Sequence, residues 1–113
     1  MIKLPLIDDF HCHLRQGAIM NTVVPLLDQG GCKLAYVMPN LNPPICTTEE
    51  ALDYKSKLEQ LNPNIEFLMT LYLNPNLTQS EIYKASSAGI RGVKSYPRGV
   101  TTNSESGIES YEI

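Results

Sequence analysis

The only two histidines of the chain lie one residue apart, within the segment Asp8 to Arg15, whose sequence is DDFHCHLR. In extended backbone, His11 and His13 leave the same face of a strand. Two imidazoles on one face can bind one metal ion, and zinc is a common choice. Asp9 can orient an imidazole, and Arg15, two residues further along the same face, offers a cation where a substrate carboxylate could bind. The alternative is that one histidine caps the strand end and the other is solvated.

Two later segments place polar residues beside prolines. In MPNLNPP, residues 38 to 44, the prolines could hold Asn40 so that its amide binds a polar substrate group, although such sequences are also ordinary loops. In GVKSYPRGVTTNS, residues 92 to 104, Lys94 lies in an apolar run before Tyr96 and Pro97. A charged lysine is costly there unless it is paired or has lost its proton. Alternatively, its stem packs on apolar neighbours and its ammonium group reaches water.

Apolar runs and helix signals alternate along the chain. Thr47 with Glu50, and Thr78 with Glu81, have the spacing of capping boxes, and Gly89 suits the end of a helix. The pattern predicts strands at 4–10, 33–38, 65–73 and 90–96, with helices at 20–29, from the Thr47 cap to about 61, and from the Thr78 cap to about 88.

The order βαβαβαβ predicts an α/β fold with four parallel strands covered by helices. Periodicity leaves open whether the sheet is doubly wound or part of an eight-stranded barrel. In both folds the functional residues lie at the carboxyl ends of the strands. The histidine pair, Asn40 and Lys94 each follow or end a predicted strand, so we expect them to lie together.

Composition narrows the class of protein. The length of 113 residues and a hydrophobic content of 42% suit one globular domain. A net charge of −3 with scattered Lys and Arg gives no support for nucleic-acid binding. The three cysteines have no CxxC spacing and are expected to be free thiols in the cytoplasm. The N-terminal residues lack the apolar core of a signal peptide, and no run is long enough to span a membrane.

Together the three motifs resemble those of the dihydroorotases in the amidohydrolase superfamily, most closely the free-standing enzymes with HLHLR, MPNxxPP and VKxYPxxxTTNS. The resemblance covers essentially the whole chain. It implies a (β/α)₈ TIM barrel and the zinc-dependent, reversible cyclisation of N-carbamoyl-L-aspartate to L-dihydroorotate in pyrimidine biosynthesis. A related cyclic amidohydrolase such as a hydantoinase would share HxH and the lysine, but the other two motifs are not expected in it.

The resemblance also implies roles for individual residues. His11 and His13 would bind the more buried of two zinc ions. Lys94, carboxylated by carbon dioxide, would bridge the two ions as both a metal ligand and a catalytic residue. A carbamate requires a neutral lysine amine, which would explain a lysine in an apolar strand, and two metal ions can activate water and polarise the ring carbonyl.

Four further residues would bind the substrate on the same grounds. Arg15 and Asn40 would hold its carboxylate, and Thr101 and Thr102 would lie on a loop that covers it. The chain departs from the family pattern at Gln16, where an acid is usual, and at Cys12, where a larger apolar residue is usual.

Length is the larger departure, because a barrel has eight strands and only four are predicted here. We therefore interpret residues 1–113 as a partial amidohydrolase domain, the N-terminal half of the barrel, that stops near the start of helix 4 at Tyr111 to Ile113. The family's other histidine ligands and its general acid–base aspartate would come from later strands. The leading hypothesis is part of a dihydroorotase that is a homodimer when complete. The alternative is a non-catalytic remnant that binds a partner.

Overall fold

Parallel strands and helices alternate along the chain, which confirms the α/β class. A computed structural model describes residues 1 to 111. A short 3₁₀ turn, Val24–Leu26, follows the first helix. The elements are β1 (Ile7–Cys12), α1 (Gly17–Val23), β2 (Cys32–Val37), α2 (Thr48–Leu61), β3 (Glu66–Leu68), β4 (Thr70–Tyr72), α3 (Gln79–Ser87) and β5 (Gly92–Lys94).

The strands form two parallel ladders, one in the order β1-β2-β3 and the other joining β4 to β5. The single strand predicted at 65–73 is therefore wrong in detail, because it is interrupted at Met69. Its first half pairs with β2 and its second half pairs with β5. Strands of a closed barrel are staggered in this way, so that one strand meets its two neighbours at different heights. The Thr70 hydroxyl at the start of β4 donates to the Val37 carbonyl at the end of β2 at 2.6 Å, which links the two ladders.

The first helix differs most from its prediction at 20–29. It begins at Gly17, ends at Val23 and continues only as the 3₁₀ turn that contains Pro25. Proline has no backbone N–H and clashes with the preceding helical turn, which ends the α-helix early. Of the apolar residues beside this proline, Val24 is buried whereas Val23 and Leu26 are exposed.

The helix caps confirm one prediction fully and one in part. Thr47 accepts from the Glu50 amide, and the Glu50 carboxylate accepts from the Thr47 amide at 3.0 Å, which completes the predicted capping box. Thr78 accepts from the Glu81 amide at 3.2 Å. The Glu81 carboxylate, however, accepts from the amide and hydroxyl of Thr48 at the start of α2, both at 2.6 Å. One carboxylate thus joins the two helices.

The buried core lies between the strands and helices and supports the loops that follow the strands. No helix among residues 1–111 is long and apolar enough to cross a membrane. The start of a fourth helix was predicted at Tyr111 to Ile113; Tyr111 is irregular, and 112 and 113 lie outside the described residues. The largest core side chains include Leu14, Val37, Leu58, Phe67 and Leu71.

Purified by itself, the 113-residue chain should self-associate. Among the described residues, β1 pairs only with β2 and β5 only with β4, so each has an open edge. Leu6, Ile7 and Phe10 near the β1 edge are all more than half exposed. Unpaired edges with apolar side chains recruit other chains. Sedimentation velocity should therefore show oligomers or aggregates.

A charge on that edge should reduce the association. Ile7→Lys places an ammonium group on β1, whereas Leu52→Lys places one on the exposed surface of α2 as a matched control. Only the first variant should shift the distribution toward monomer. A monodisperse unmodified chain that melts cooperatively would contradict the prediction.

Candidate active site

The two histidines meet at the carboxyl end of β1. His11 lies within the strand and His13 just beyond it, and both rings lie on one side, as predicted. Their Nε2 atoms are 3.1 Å apart. The ring centroids are 5.1 Å apart and the planes are tilted by 48°. The two nitrogens thus converge on one point instead of facing separate regions of solvent.

His13 lies among positively charged groups. Partial burial lowers its pKa most, and the charges of Arg15 and then His11 lower it further. A hydrogen bond with Asn40 opposes these effects, and Lys94 lowers the pKa by a smaller amount. The candidates from the ends of three strands therefore lie close enough to act on one imidazole. A neutral imidazole is the form that binds a metal ion.

Asp9 does not orient an imidazole as predicted. Its Oδ1 atom accepts from the backbone amide of His11 at 3.0 Å, which fixes the strand backbone instead of the ring. Burial raises the pKa of the neighbouring Cys12 thiol to about 12, and Asp9 raises it further. Cys12 is therefore a protonated core residue, and all three cysteines are free.

Arg15 reaches the cluster by a turn and not by strand alternation. The strand ends at Cys12, and Arg15 has a φ of +59°, in the left-handed region. The hydroxyl of Tyr54 on α2 donates to the Arg15 carbonyl at 2.5 Å. The guanidinium atom Nη1 is buried and has no hydrogen-bond partner among residues 1–111. A buried, unsatisfied guanidinium nitrogen is costly, so it is a natural place for an anionic ligand.

Lys94 is the last residue of β5 and is half-buried. Its Nζ atom lies 5.4 Å from the centroid of the Tyr96 ring, within the range of a cation–π contact. It forms no ion pair with the residues that the structure describes. The structure thus places this amine at the carboxyl end of β5, close enough to His13 to lower the pKa of that imidazole, and pairs it with no carboxylate among residues 1–111.

Asn40 is only 2% exposed, and its amide is held on both sides. Its Nδ2 atom donates to the Thr102 carbonyl at 2.8 Å. Its Oδ1 atom accepts from the Tyr96 hydroxyl at 3.0 Å. The rigid placement expected from the flanking prolines therefore comes largely from residues of the β5 loop. An amide NH₂ group has two donors, so one N–H remains for a ligand.

The loop after β5 folds over Asn40. Thr101 and Thr102 are both exposed, and they are held through their backbone. The buried Ser104 hydroxyl accepts from the Thr101 amide at 3.0 Å and donates to the Thr101 carbonyl at 2.6 Å. Asn103, at a φ of +55°, donates to the Asn40 carbonyl at 3.1 Å. The threonine hydroxyls are thus available at the rim of the site.

Sequence reasoning assigned no role to three residues that shape this site. Tyr96 binds Asn40 and stacks on Tyr72 with ring centroids 5.2 Å apart. Tyr54 binds Arg15. The Gln16 side chain accepts from the Asn42 amide at 3.2 Å and so joins the loops after β1 and β2. A buried tyrosine hydroxyl needs a hydrogen-bond partner. This general requirement was the only indication in the sequence that the two tyrosines would bind other residues of the site.

The site thus combines two converging imidazoles, a lysine without a counter-ion and an arginine with a buried free donor. Within residues 1–111, no three His, Cys, Asp or Glu side chains cluster as a metal site, so further ligands would have to include Lys94 or groups outside these residues. The cluster lies where α/β enzymes carry their active sites, at the carboxyl ends of parallel strands.

The chain is similar to several known proteins over almost its whole length. It is 55% identical over 111 residues to a probable dihydroorotase of Schizosaccharomyces pombe, covering 98% of this chain and 33% of that protein. A crystal structure of Saccharomyces cerevisiae dihydroorotase with 5-fluoroorotic acid matches with a TM-score of 0.90 and 47% identity, over 95% of this chain and 30% of that one. The L-hydantoinase (dihydropyrimidinase) of Arthrobacter aurescens matches with a TM-score of 0.65 at 23% identity, over 85% of this chain and 23% of its own, which shows a shared fold alone. No protein-family model matches.

In sequence and in fold, the chain is therefore similar to the dihydroorotases over nearly its whole length. The predicted family and the TIM-barrel fold class are confirmed. The chain spans about a third of the length of curated relatives that it matches. It therefore corresponds to part of such a barrel.

Proposed function

We propose that this chain supplies the histidine pair, the bridging lysine and part of the substrate site of a dihydroorotase. The complete protein would interconvert N-carbamoyl-L-aspartate and L-dihydroorotate, a cyclisation in pyrimidine biosynthesis. The observation that carries the proposal is the convergence of the His11 and His13 rings. Arg15 and Lys94 lie close enough to this pair to lower the pKa of His13. The similarity to dihydroorotases supports it, since one of them binds 5-fluoroorotic acid, a molecule of the same ring type.

The histidine geometry suits zinc. Zinc–nitrogen bonds are about 2.0–2.1 Å long. Two nitrogens 3.1 Å apart can therefore both bind one ion at an angle of about 100°, close to tetrahedral. The lowered pKa of His13 favours the neutral ligand. When bound, zinc would supply Lewis-acid activation of water and of the amide carbonyl.

Lys94 would complete the metal site after carboxylation. Its neutral amine would attack carbon dioxide, which opens one C=O π bond, and one N–H proton would pass to water. The carbamate formed would share one negative charge between two oxygens. That negative charge would be stabilised by the nearby Arg15 cation and by any bound metal ions. The Tyr96 ring lies 5.4 Å from the lysine Nζ atom and so borders the space in which the carbamate would form.

The substrate carboxylate would bind to Arg15. Its buried Nη1 lacks a partner within residues 1–111, and a carboxylate would satisfy it with a charge-assisted bond. The remaining N–H of Asn40 would add a second donor. Thr101 and Thr102 would contact the substrate from the loop above Asn40. The homodimer and the cytoplasmic location of the complete enzyme stay predictions.

An assay with two substrates tests the proposal. The complete protein, loaded with zinc and supplied with bicarbonate, should hydrolyse L-dihydroorotate and form it from N-carbamoyl-L-aspartate. Hydantoin should be a much poorer substrate. Hydantoin hydrolysis without dihydroorotate turnover would favour the hydantoinase alternative, and turnover of neither would contradict the proposal.

Arg15→Lys should weaken the transition-state interaction while keeping the charge. Lysine lacks the planar fork of guanidinium, and a lost charge-assisted hydrogen bond costs about 1 to 3 kcal/mol. The value of kcat/KM should fall accordingly, with most of the change in KM. Arg91→Lys on the surface before β5 is a matched control and should change neither constant. Unchanged kinetics in Arg15→Lys would make this arginine structural.

A further inference from the structure

Tyr54 lies on α2, yet its hydroxyl contacts the segment that carries Arg15. The residue is 5% exposed and belongs to the helix face that packs on the core. Its hydroxyl donates to the Arg15 carbonyl at 2.5 Å, across 39 positions of sequence. Core packing alone would be served by phenylalanine, so the buried hydroxyl has a separate purpose.

The backbone at Arg15 needs outside support. A left-handed conformation is unfavourable for residues other than glycine, because the Cβ atom comes too close to the following carbonyl oxygen. Arg15 adopts it at a φ of +59°, and the next residue, Gln16, is extended with a φ of −140°. The direction in which an arginine leaves the chain depends on this turn. Relaxation to a common backbone region would therefore redirect the guanidinium group.

The side chain that this turn directs is itself unsatisfied. Nη1 of Arg15 is buried without a hydrogen-bond partner in the described part of the chain, although the guanidinium lies close enough to His13 to lower the pKa of that ring. Two unfavourable features, the left-handed backbone and the unpartnered donor, thus occur in one residue. Such features persist where the surroundings hold them and a ligand uses them.

We propose that Tyr54 is a positioning residue for the substrate carboxylate, because its hydroxyl holds the Arg15 carbonyl and with it the turn that directs the guanidinium group. The role rests on the proposed function, since it takes Arg15 as the group that binds this carboxylate. Tyr54 itself contacts neither the substrate nor a metal ion.

Tyr54→Phe in the complete protein removes only the hydroxyl. We expect calorimetry to show 5-fluoroorotate binding weakened about 3- to 10-fold, the effect of one lost hydrogen bond. The KM for L-dihydroorotate should rise by a similar factor while kcat and zinc content stay near their original values. Tyr83→Phe is the matched control: this tyrosine is exposed on α3, and its hydroxyl bonds to Gln79 at 3.2 Å. It should change none of these quantities.

A double-mutant cycle separates positioning from helix packing. If Tyr54 acts through Arg15, Tyr54→Phe should not weaken binding further in an Arg15→Ala background. Equal weakening in both backgrounds, or unchanged binding and KM in the single variant, would overturn the inference.

The binding probe also separates this inference from the proposed reaction. A protein that binds 5-fluoroorotate in the expected pattern but converts no N-carbamoyl-L-aspartate would contradict the reaction and support the role of Tyr54. Normal conversion with an unaffected Tyr54→Phe variant would contradict the role alone. A protein that neither binds nor converts would contradict both.

Discussion

A His11→Ala variant of the complete protein should lose most of its tightly bound zinc, and its turnover of L-dihydroorotate should fall at least about 100-fold. Loss of a residue that merely supports a metal ligand commonly costs 10- to 100-fold, so loss of a ligand should cost at least as much. The Nε2 atoms of His11 and His13 converge at 3.1 Å, and removal of one leaves the other without its partner in chelation.

Metal analysis of the dialysed protein measures this effect independently of activity. Lys33→Met is a suitable control, because Lys33 is an exposed residue near the other end of the neighbouring strand, paired with Asp8. It should retain its zinc. Unchanged zinc content in both His11→Ala and His13→Ala would remove the ligand assignment.

Lys94→Ala should also reduce turnover at least about 100-fold, because no other group can form the proposed bridging carbamate. Short carboxylic acids added to this variant should restore part of the activity by occupying the space of the carbamate. NMR with isotopically labelled bicarbonate should detect the carbamate carbon in the original protein and not in the variant.

A lysine elsewhere provides the comparison. Lys84 lies on the exposed surface of α3 and pairs with Glu49. Lys84→Ala should keep both its activity and its carbamate signal. Activity of Lys94→Ala close to that of the original protein, without added acid, would show that the lysine only packs beside Tyr96.

Local signals in the sequence predicted the elements more reliably than their limits. The Thr47 and Glu50 capping box depends on residues three apart, and it forms as predicted. The interruption at Met69 depends instead on which neighbouring strand pairs with each half of the predicted strand. Apolar periodicity carries no information about that pairing. The helix predicted at 20–29 runs through Pro25, but the α-helix ends at Val23, before this proline.

The site shows the same division. The spacing of His11 and His13 correctly predicted one shared side, because alternation along a strand is a local property. Arg15 reached the expected region by a left-handed turn that depends on Tyr54, a residue far away in sequence. Asn40 likewise owes its orientation to Tyr96 and Thr102. Contacts between residues far apart in sequence follow no fixed spacing, so they could not be predicted from the sequence pattern.

The Glu81 carboxylate has a consequence for motion within the chain. It belongs to the first turn of α3 but accepts from the first amide of α2, at Thr48. Opening the start of either helix therefore breaks a bond that the other needs, so the two starts should open together. In native-state hydrogen exchange, the Thr48 amide should become exchangeable in the same opening event as the first turn of α3. Two segments separated in sequence would thus form one cooperative unit.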